Sequence, residues 1–447
     1  MGTMVNAKGD ATDYDRCCYK RQICDANTLY RAYKESIKSS GWKPQTQKFE
    51  MNLLFSLAKI QQELMAGKYK PDSGSSFEIC ERGKKRLITG ETVRDRVVKH
   101  ALCDDVLLPA VKPKLIYDNS ASLKGRGVSF ARKRLLTHLR KYYRHHGSNS
   151  GYILLMDYSK YYDNIRHDKL VSLLSHYVKD EQVMDLVKEL LKKHQVDVSY
   201  MSDDEYARCM DTIFDSLAYE EQVDKSKLDG SKMMAKHMDI GDQLSQIAGI
   251  AYPIPIDNYV KIVKGCKYYA RYMDDSYVIH ESKDYLKSLL AGIKAQAAKL
   301  GITLNPRKTR IVKLSSYWRY LQIQYSLTDS GRVIQKINPK AMTRMHRKMK
   351  KLVRILGPKE YRDWYQSWFR SHYKIMSKQQ RSNLDRLYKT LTEAKHGKQD
   401  LHDSPVRRDE DRKPDLKWQQ LYLYDGCHGR PIRRQAQERN HHGQRRR

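Results

Sequence analysis

Residues 267–280 read KYYARYMDDSYVIH, and the acidic pair at the centre, Asp274-Asp275, decides how the rest of the chain is read. Tyr, Val and Ile favour extended backbone, and two short runs of them around a polar tip predict a β-hairpin. Adjacent aspartates at such a tip repel each other and gain no packing. A cation supplies the missing compensation, because oxygen ligands suit Mg²⁺ and two carboxylates neutralise it. A bare Asp-Asp pair also fits an acidic surface turn. What favours the chemical reading is a second acidic element upstream, YILLMDYSKYYDNI at 152–165. There a continuous apolar run, Ile153 to Met156, predicts a strand buried on both faces, with Asp157 at its end. A carboxylate beside a buried strand is costly without a partner, and a metal is the expected one. Two strands converging on one site would let Asp157 and Asp274 hold a pair of cations, the arrangement that serves in-line phosphoryl transfer.

Composition points to a polyanion partner. Lys and Arg outnumber Asp and Glu by 85 to 52 in 447 residues, a net charge of +33, far more than solubility needs. Tyr is abundant (32, against 6 Phe) and offers rings that stack on bases. Eight cysteines are scattered without a CxxC pair, so neither a zinc site nor a disulfide framework is indicated, and a reducing compartment fits. No apolar run approaches the roughly 20 residues of a membrane span and no signal peptide opens the chain, so the expectation is a cytoplasmic protein without a membrane partner.

Along the chain, residues 1–27 are polar and expected to be loosely held. Helical spacing follows to about residue 68, with Leu53, Leu54, Leu57, Ile60 and Leu64 on the apolar face. Residues 75–102 predict strand, a basic turn around Gly83, strand, and a helix from about Thr92. Lys84, Lys85 and Arg86 on that hairpin suit a triphosphate clamp. Lys124-Gly125-Arg126-Gly127 stands before a basic helix bearing Arg132, Lys133, Arg134 and Arg140, a pattern suited to nucleic-acid phosphates. Residues 181–194 form a helix with Val183, Leu186, Leu190 and Leu191 inward. The acidic stretch 202–232 is expected as a charged surface insertion, with a partner-docking or autoinhibitory role as the sharper alternative. A helix over 284–300 stops at Gly301. From 340 to 391 the chain is helical and basic, with Pro358 dividing helices and Trp364, Trp368 and Phe369 as core. Residues 393–447 are apolar-poor and expected to be disordered, adding sequence-independent RNA affinity.

Five segments in order resemble the reverse transcriptases, right-handed polymerases with fingers, palm and thumb. Asp157 resembles the first palm aspartate and YMDD at 272–275 the second acidic motif. KKRL at 84–87 resembles the fingers motif on the incoming triphosphate. LNPRKTRI at 304–311 resembles the palm element after the hairpin, with Lys308 as proton donor to pyrophosphate, and YWRYLQI at 317–323 resembles the primer-grip strand pair. The resemblance implies an α+β fold with an antiparallel palm sheet and a helical thumb: an N-terminal helical extension over 1–67, fingers over 68–150, palm over 151–325 with an insertion at about 168–237, thumb over 326–392, and a basic tail over 393–447. It implies two Mg²⁺ ions, replaceable by Mn²⁺, on Asp157, Asp274 and Asp275. Tyr162 stands where the family keeps an aromatic gate against the 2′-hydroxyl, which implies deoxynucleotide use. Asp163 and Asn164 are expected to point away from the metals.

Residues 240–246, IGDQLSQ, depart from the QGxxxSP of most relatives. This form resembles the error-prone reverse transcriptases of diversity-generating retroelements, and Ile240 cannot hydrogen-bond a nucleotide as Gln would. Ile240 and Gly241 are therefore expected at the nucleotide, and Lys124, Arg126, Gln246 and Tyr320 at template and primer. The implied partners are an RNA template, a DNA or RNA primer and dNTPs, with a small basic accessory protein as a further candidate. The implied setting is a bacterial or phage-infected cell. Alternatives are a defence-associated or group II intron-type enzyme, or a non-catalytic RNA-binding scaffold. No HNH-like zinc cluster or RNase H carboxylate set is evident after the thumb segment, so neither activity is expected.

Overall fold

The computed structural model describes residues 22–81, 84–224, 226 and 228–399. The polar start, the turn residue Gly83 and nearly all of the basic tail lie outside the described residues.

The helical stretch at the N-terminus is three helices, Ala26–Ile37, Pro44–Met51 and Leu53–Met65. Pro44 cannot continue a preceding helix but suits the first turn of the next. Leu57, Ile60 and Leu64 are buried as the spacing predicts, whereas Leu54 is exposed. Strands β1 (Ser75–Glu81) and β2 (Lys84–Gly90) pair antiparallel, Ser75 opposite Gly90 and Glu81 opposite Lys84. The Val93–Leu102 helix starts at Thr92, whose hydroxyl caps the Asp95 amide. The basic helix is Val128–His146.

The centre is a four-stranded antiparallel sheet ordered β6–β7–β3–β8. Its members are β3 (Tyr152–Met156), β6 (Tyr269–Tyr272), β7 (Asp275–His280) and β8 (Arg310–Lys313). Strand β3 lies inside, and Ile153 to Met156 are all buried, in keeping with an unbroken apolar run. Between β3 and β6 in sequence come β4 (Val196–Asp197) and β5 (Met233–Met234), which pair with each other as a separate two-stranded sheet. A second sheet is β11–β10–β9, from Trp318–Tyr320 (β9), Ile323–Leu327 (β10) and Val333–Ile337 (β11). Its first turn, Leu321-Gln322, has both residues at positive φ (44° and 70°), the twist a two-residue hairpin needs, and the Arg132 guanidinium donates to the Leu321 carbonyl at 3.0 Å.

Three basic helices close the described chain: Pro339–Ile355, Pro358–His372 and Lys378–Gln399. Trp364, Trp368 and Phe369 pack half-buried against the core that holds Met345, Met349 and Tyr365 together with β9 and β10. No described helix is long and apolar enough to cross a membrane.

Candidate active site

Sheet register brings the acidic residues together. Met156 faces Ser276, so the next position outward sets Asp157 beside Asp275 on one face of the sheet. Tyr272 pairs with Asp275, leaving Met273 and Asp274 as the turn. Met273 carries a φ of 53°, a left-handed conformation rare for a side chain of its kind. Arg271 holds that turn from beneath. Fully buried, it reaches both Asp257 oxygens through Nε at 3.0 Å, the Ile250 carbonyl through Nη2 at 2.9 Å and the Met273 carbonyl through Nη1 at 3.3 Å.

Asp157 is 5 % exposed, and both its oxygens accept from Lys308 Nζ, at 2.7 and 2.8 Å. The segment before Lys308 lies alongside, with the Asn305 amide donating to the Asp157 carbonyl at 2.7 Å. Burial, and then the charges of Asp274 and Asp157, push the Asp275 carboxyl up to about 7. Burial alone would lower the Lys308 ammonium, but its hydrogen bonds and attraction to Asp157, aided by Asp274 and Asp275, leave it raised. Among the described residues no group of three or more His, Cys, Asp or Glu side chains stands ready to hold a metal ion. At Asp157 the positive charge is supplied by Lys308.

A cavity of about 970 Å³ opens over this face, lined among others by Asp157, Asp274, Lys308, Tyr162, Lys85 and Ile240. Lys84 and Arg86 flank Lys85 on β2, and Gly241 (φ 100°) follows Ile240. The Tyr162 hydroxyl lies 3.8 Å from Met273 Sδ. Its ring stands over Gly249 of the Gln243–Ala251 helix, where a Cβ would come within 2.8 Å of the phenol oxygen. Burial, then Asp274 and Tyr272, push that phenol up to about 12. Asp163 and Asn164 turn to the insertion: Asp163 accepts from Ser216 Oγ at 2.9 Å, and Asn164 exchanges two hydrogen bonds with the Phe214 backbone.

The remaining expected residues lie apart from the cavity. Gln246 accepts from Ser122 Oγ at 3.4 Å, in the loop that carries exposed Lys124. Arg126 organises the same loop from within, donating to the Tyr117 and Asn119 carbonyls at 2.8 and 2.7 Å. Tyr320 is 4 % exposed and meets the Tyr277 ring edge-on at 5.1 Å. This corrects the expectation of a template or primer contact there. Strand alternation turns Trp318 and Tyr320 into the core and leaves Arg319 outside.

The acidic stretch is also not a mere surface insertion. Ile213, Asp215, Ser216, Leu217, Tyr219, Glu220 and Val223 form one wall of the cavity. Phe214 is buried in a small core with Val198, Met201 and Met234. Buried Lys236 donates to the carbonyls of Cys209, Met210 and Thr212 at the end of the Asp203–Asp211 helix. Ion pairs bind the wall to the site, Asp215 to Lys160 at 2.8 Å and Glu221 to Lys85 at 3.0 Å.

Residues missed in the sequence are Arg271, Asp257, Gly249 and the histidine–aspartate cluster behind Ile240. A signal existed for the first: an arginine inside the run YARY of a buried strand demands a carboxylate partner.

A family model described as reverse transcriptase (RNA-dependent DNA polymerase) matches residues 69–357. An uncharacterized 91 kDa protein in a cob intron of Schizosaccharomyces pombe (strain 972) is 24% identical over 331 residues, covering 66% of this chain and 40% of that protein. The chain thus spans less than half the length of this curated relative. The matched stretch contains every strand of the acidic sheet and both the Tyr162 and Ile240 sides of the cavity, so this chain belongs to the reverse transcriptase family and has its right-hand polymerase fold.

Proposed function

We propose that this chain extends a primer's 3′-hydroxyl on an RNA template with deoxynucleoside triphosphates, using fingers over 68–150, a palm over 151–325 and a thumb over 326–392. The observation that carries this reading is the convergence of Asp157 and Asp274, with Asp275 beside them, on a cavity that also exposes Lys85 and Lys308.

The donor set fits divalent cations. It is built of hard carboxylate oxygens, and their mutual repulsion is what lifts Asp275 beyond the effect of burial. Asp157 and Asp274 would ligate, with Asp275 supporting their charge. Two Mg²⁺ ions, or Mn²⁺ in their place, would activate the primer hydroxyl and neutralise the leaving pyrophosphate. Lys308 holds a proton at Nζ against Asp157 and would pass it to pyrophosphate. Lys85 exchanges Glu221 for the triphosphate, with Lys84 and Arg86 on the same strand. Tyr162, seated on Gly249, places its ring against the sugar and excludes a 2′-hydroxyl. Ile240 offers no hydrogen bond at the cavity wall, which favours an error-prone enzyme of the diversity-generating kind. The relative in a cob intron favours an intron-type enzyme instead.

Primer extension on poly(rA)/oligo(dT) with Mg²⁺ tests the core claim. Wild type should extend and Asp274→Ala should fall by about a thousandfold or more, since loss of metal-borne charge stabilisation removes several kcal/mol. Equal signals would leave only an RNA-binding scaffold. Sequencing the products of wild type and Ile240→Gln in the same assay tests fidelity, and an unchanged error rate would sink the diversity-generating reading.

A further inference from the structure

Behind the dipeptide Ile240-Gly241 runs a chain of charged groups that the chemistry above leaves unused. Asp239 and Asp242 flank the dipeptide, and His194 bridges them, Nδ1 lying 2.9 Å from Asp239 Oδ2 and Nε2 2.7 Å from Asp242 Oδ2. An imidazole between two carboxylates donates from both nitrogens only when protonated. Asp242 also accepts from Lys99 Nζ at 2.7 Å and caps the Gln243–Ala251 helix through the Leu244 amide at 2.9 Å. From the other side Thr89, near the end of β2, donates its hydroxyl to Asp239 Oδ1 at 2.9 Å. Thr89, His194 and Asp239 all line the same cavity as Lys85 and Ile240.

One carboxylate therefore joins two parts of the cavity wall that are 150 residues apart in the chain. His194, buried and tied to both flanks of the dipeptide, leaves the loop little freedom to slide. Thr89 ties β2 to that same fixed point, four residues along from Lys85.

We propose that Asp239, clasped by His194 and Thr89, is a positioning residue that holds β2 and the 240–241 loop at one separation across the nucleotide cavity. Triphosphate contact at Lys85 and contact at Ile240 then engage together when a deoxynucleoside triphosphate binds. The inference rests on the polymerase reading above and adds the residues that set nucleotide affinity.

Thr89→Val keeps the side chain's shape and removes the donor, leaving Asp239 Oδ1 only the longer contact to His237 Nε2 at 3.5 Å. The KM for dTTP on poly(rA)/oligo(dT) should rise about tenfold, the size expected for one lost hydrogen bond to a charged group. Template–primer affinity should stay at the wild-type value, and Thr89→Ser, which restores the hydroxyl, should restore KM. A wild-type KM in Thr89→Val would overturn the proposal, as would a rise that Thr89→Ser fails to correct or that comes with a weaker template–primer affinity. A wild type that extends no primer would instead sink the polymerase reading on which the proposal stands.

Discussion

At Met273 a left-handed backbone costs on the order of 1–3 kcal/mol, and the fully satisfied Arg271–Asp257 pair beneath keeps the hairpin tip in that shape. Its thioether in turn meets Tyr162, whose ring has room only because residue 249 lacks a side chain. A Cβ at residue 249 would stand 2.8 Å from the phenol oxygen and 3.3 Å from Met273 Sδ, so one of the two must move. Gly249→Ala should displace the Tyr162 ring and cut discrimination against ribonucleotides by about tenfold or more. Overpacking should lower stability by about 1–3 kcal/mol. Competing dTTP and UTP in one extension reaction reads the first effect. Wild-type discrimination in a folded Gly249→Ala would show that Tyr162 does not gate from this position.

Among elements, the segment after β3 and the approach to the Gln243–Ala251 helix are joined through His237. Its Nδ1 lies 3.0 Å from Asp163 Oδ1 and its Nε2 3.5 Å from Asp239 Oδ1. Burial works against the charged imidazolium, but the hydrogen bonds and charges of these two aspartates outweigh it and raise it to about 9. A folded value above the unfolded one near 6.5 means stability fully present below about pH 6.5 and lost as pH rises through about 9, on the order of 3 kcal/mol in all. The neighbouring His194 is raised too and acts in the same direction, whereas burial drives His167 down to about 4 and keeps it neutral across this window. The urea midpoint of the wild type should therefore fall between pH 7 and 9, and that of His237→Gln should fall less. Equal slopes would remove His237 from the account. The exposed Lys85–Glu221 pair is worth less than about 1 kcal/mol, so the acidic wall is held by Phe214 and Lys236 rather than by that contact.

For the whole molecule the net charge of +33 would set the scale of the proposed nucleic-acid binding. Not all of that charge faces outward. Arg132 and Arg134 of the basic helix are taken up by the Leu321 carbonyl and Asp118, while Lys133 and Arg140 stay exposed. Template–primer affinity should still weaken by about a hundredfold or more between 50 and 200 mM salt, because each neutralised phosphate releases counterions. Filter binding across that range measures the slope. A flat response would mean that few cations touch the backbone and that the excess charge serves another partner.

The strands, the hairpin and the order of the family's motifs were legible in the chain alone. Their signals are local: an apolar run before Asp157, aromatic and β-branched residues around Asp274-Asp275, a proline at 44 and another at 358. Pairing of Met156 with Ser276, which sets Asp157 beside Asp275, needs only two such strands to meet. What the tertiary structure alone decided are contacts between stretches with no local mark of each other. Gly249 lies beneath Tyr162, His194 spans both sides of Ile240-Gly241, and an acidic segment that reads as solvated surface closes one side of the cavity. Periodicity reports which face of an element is buried, but which distant charge or ring will fill the space against it is settled only when the chain packs.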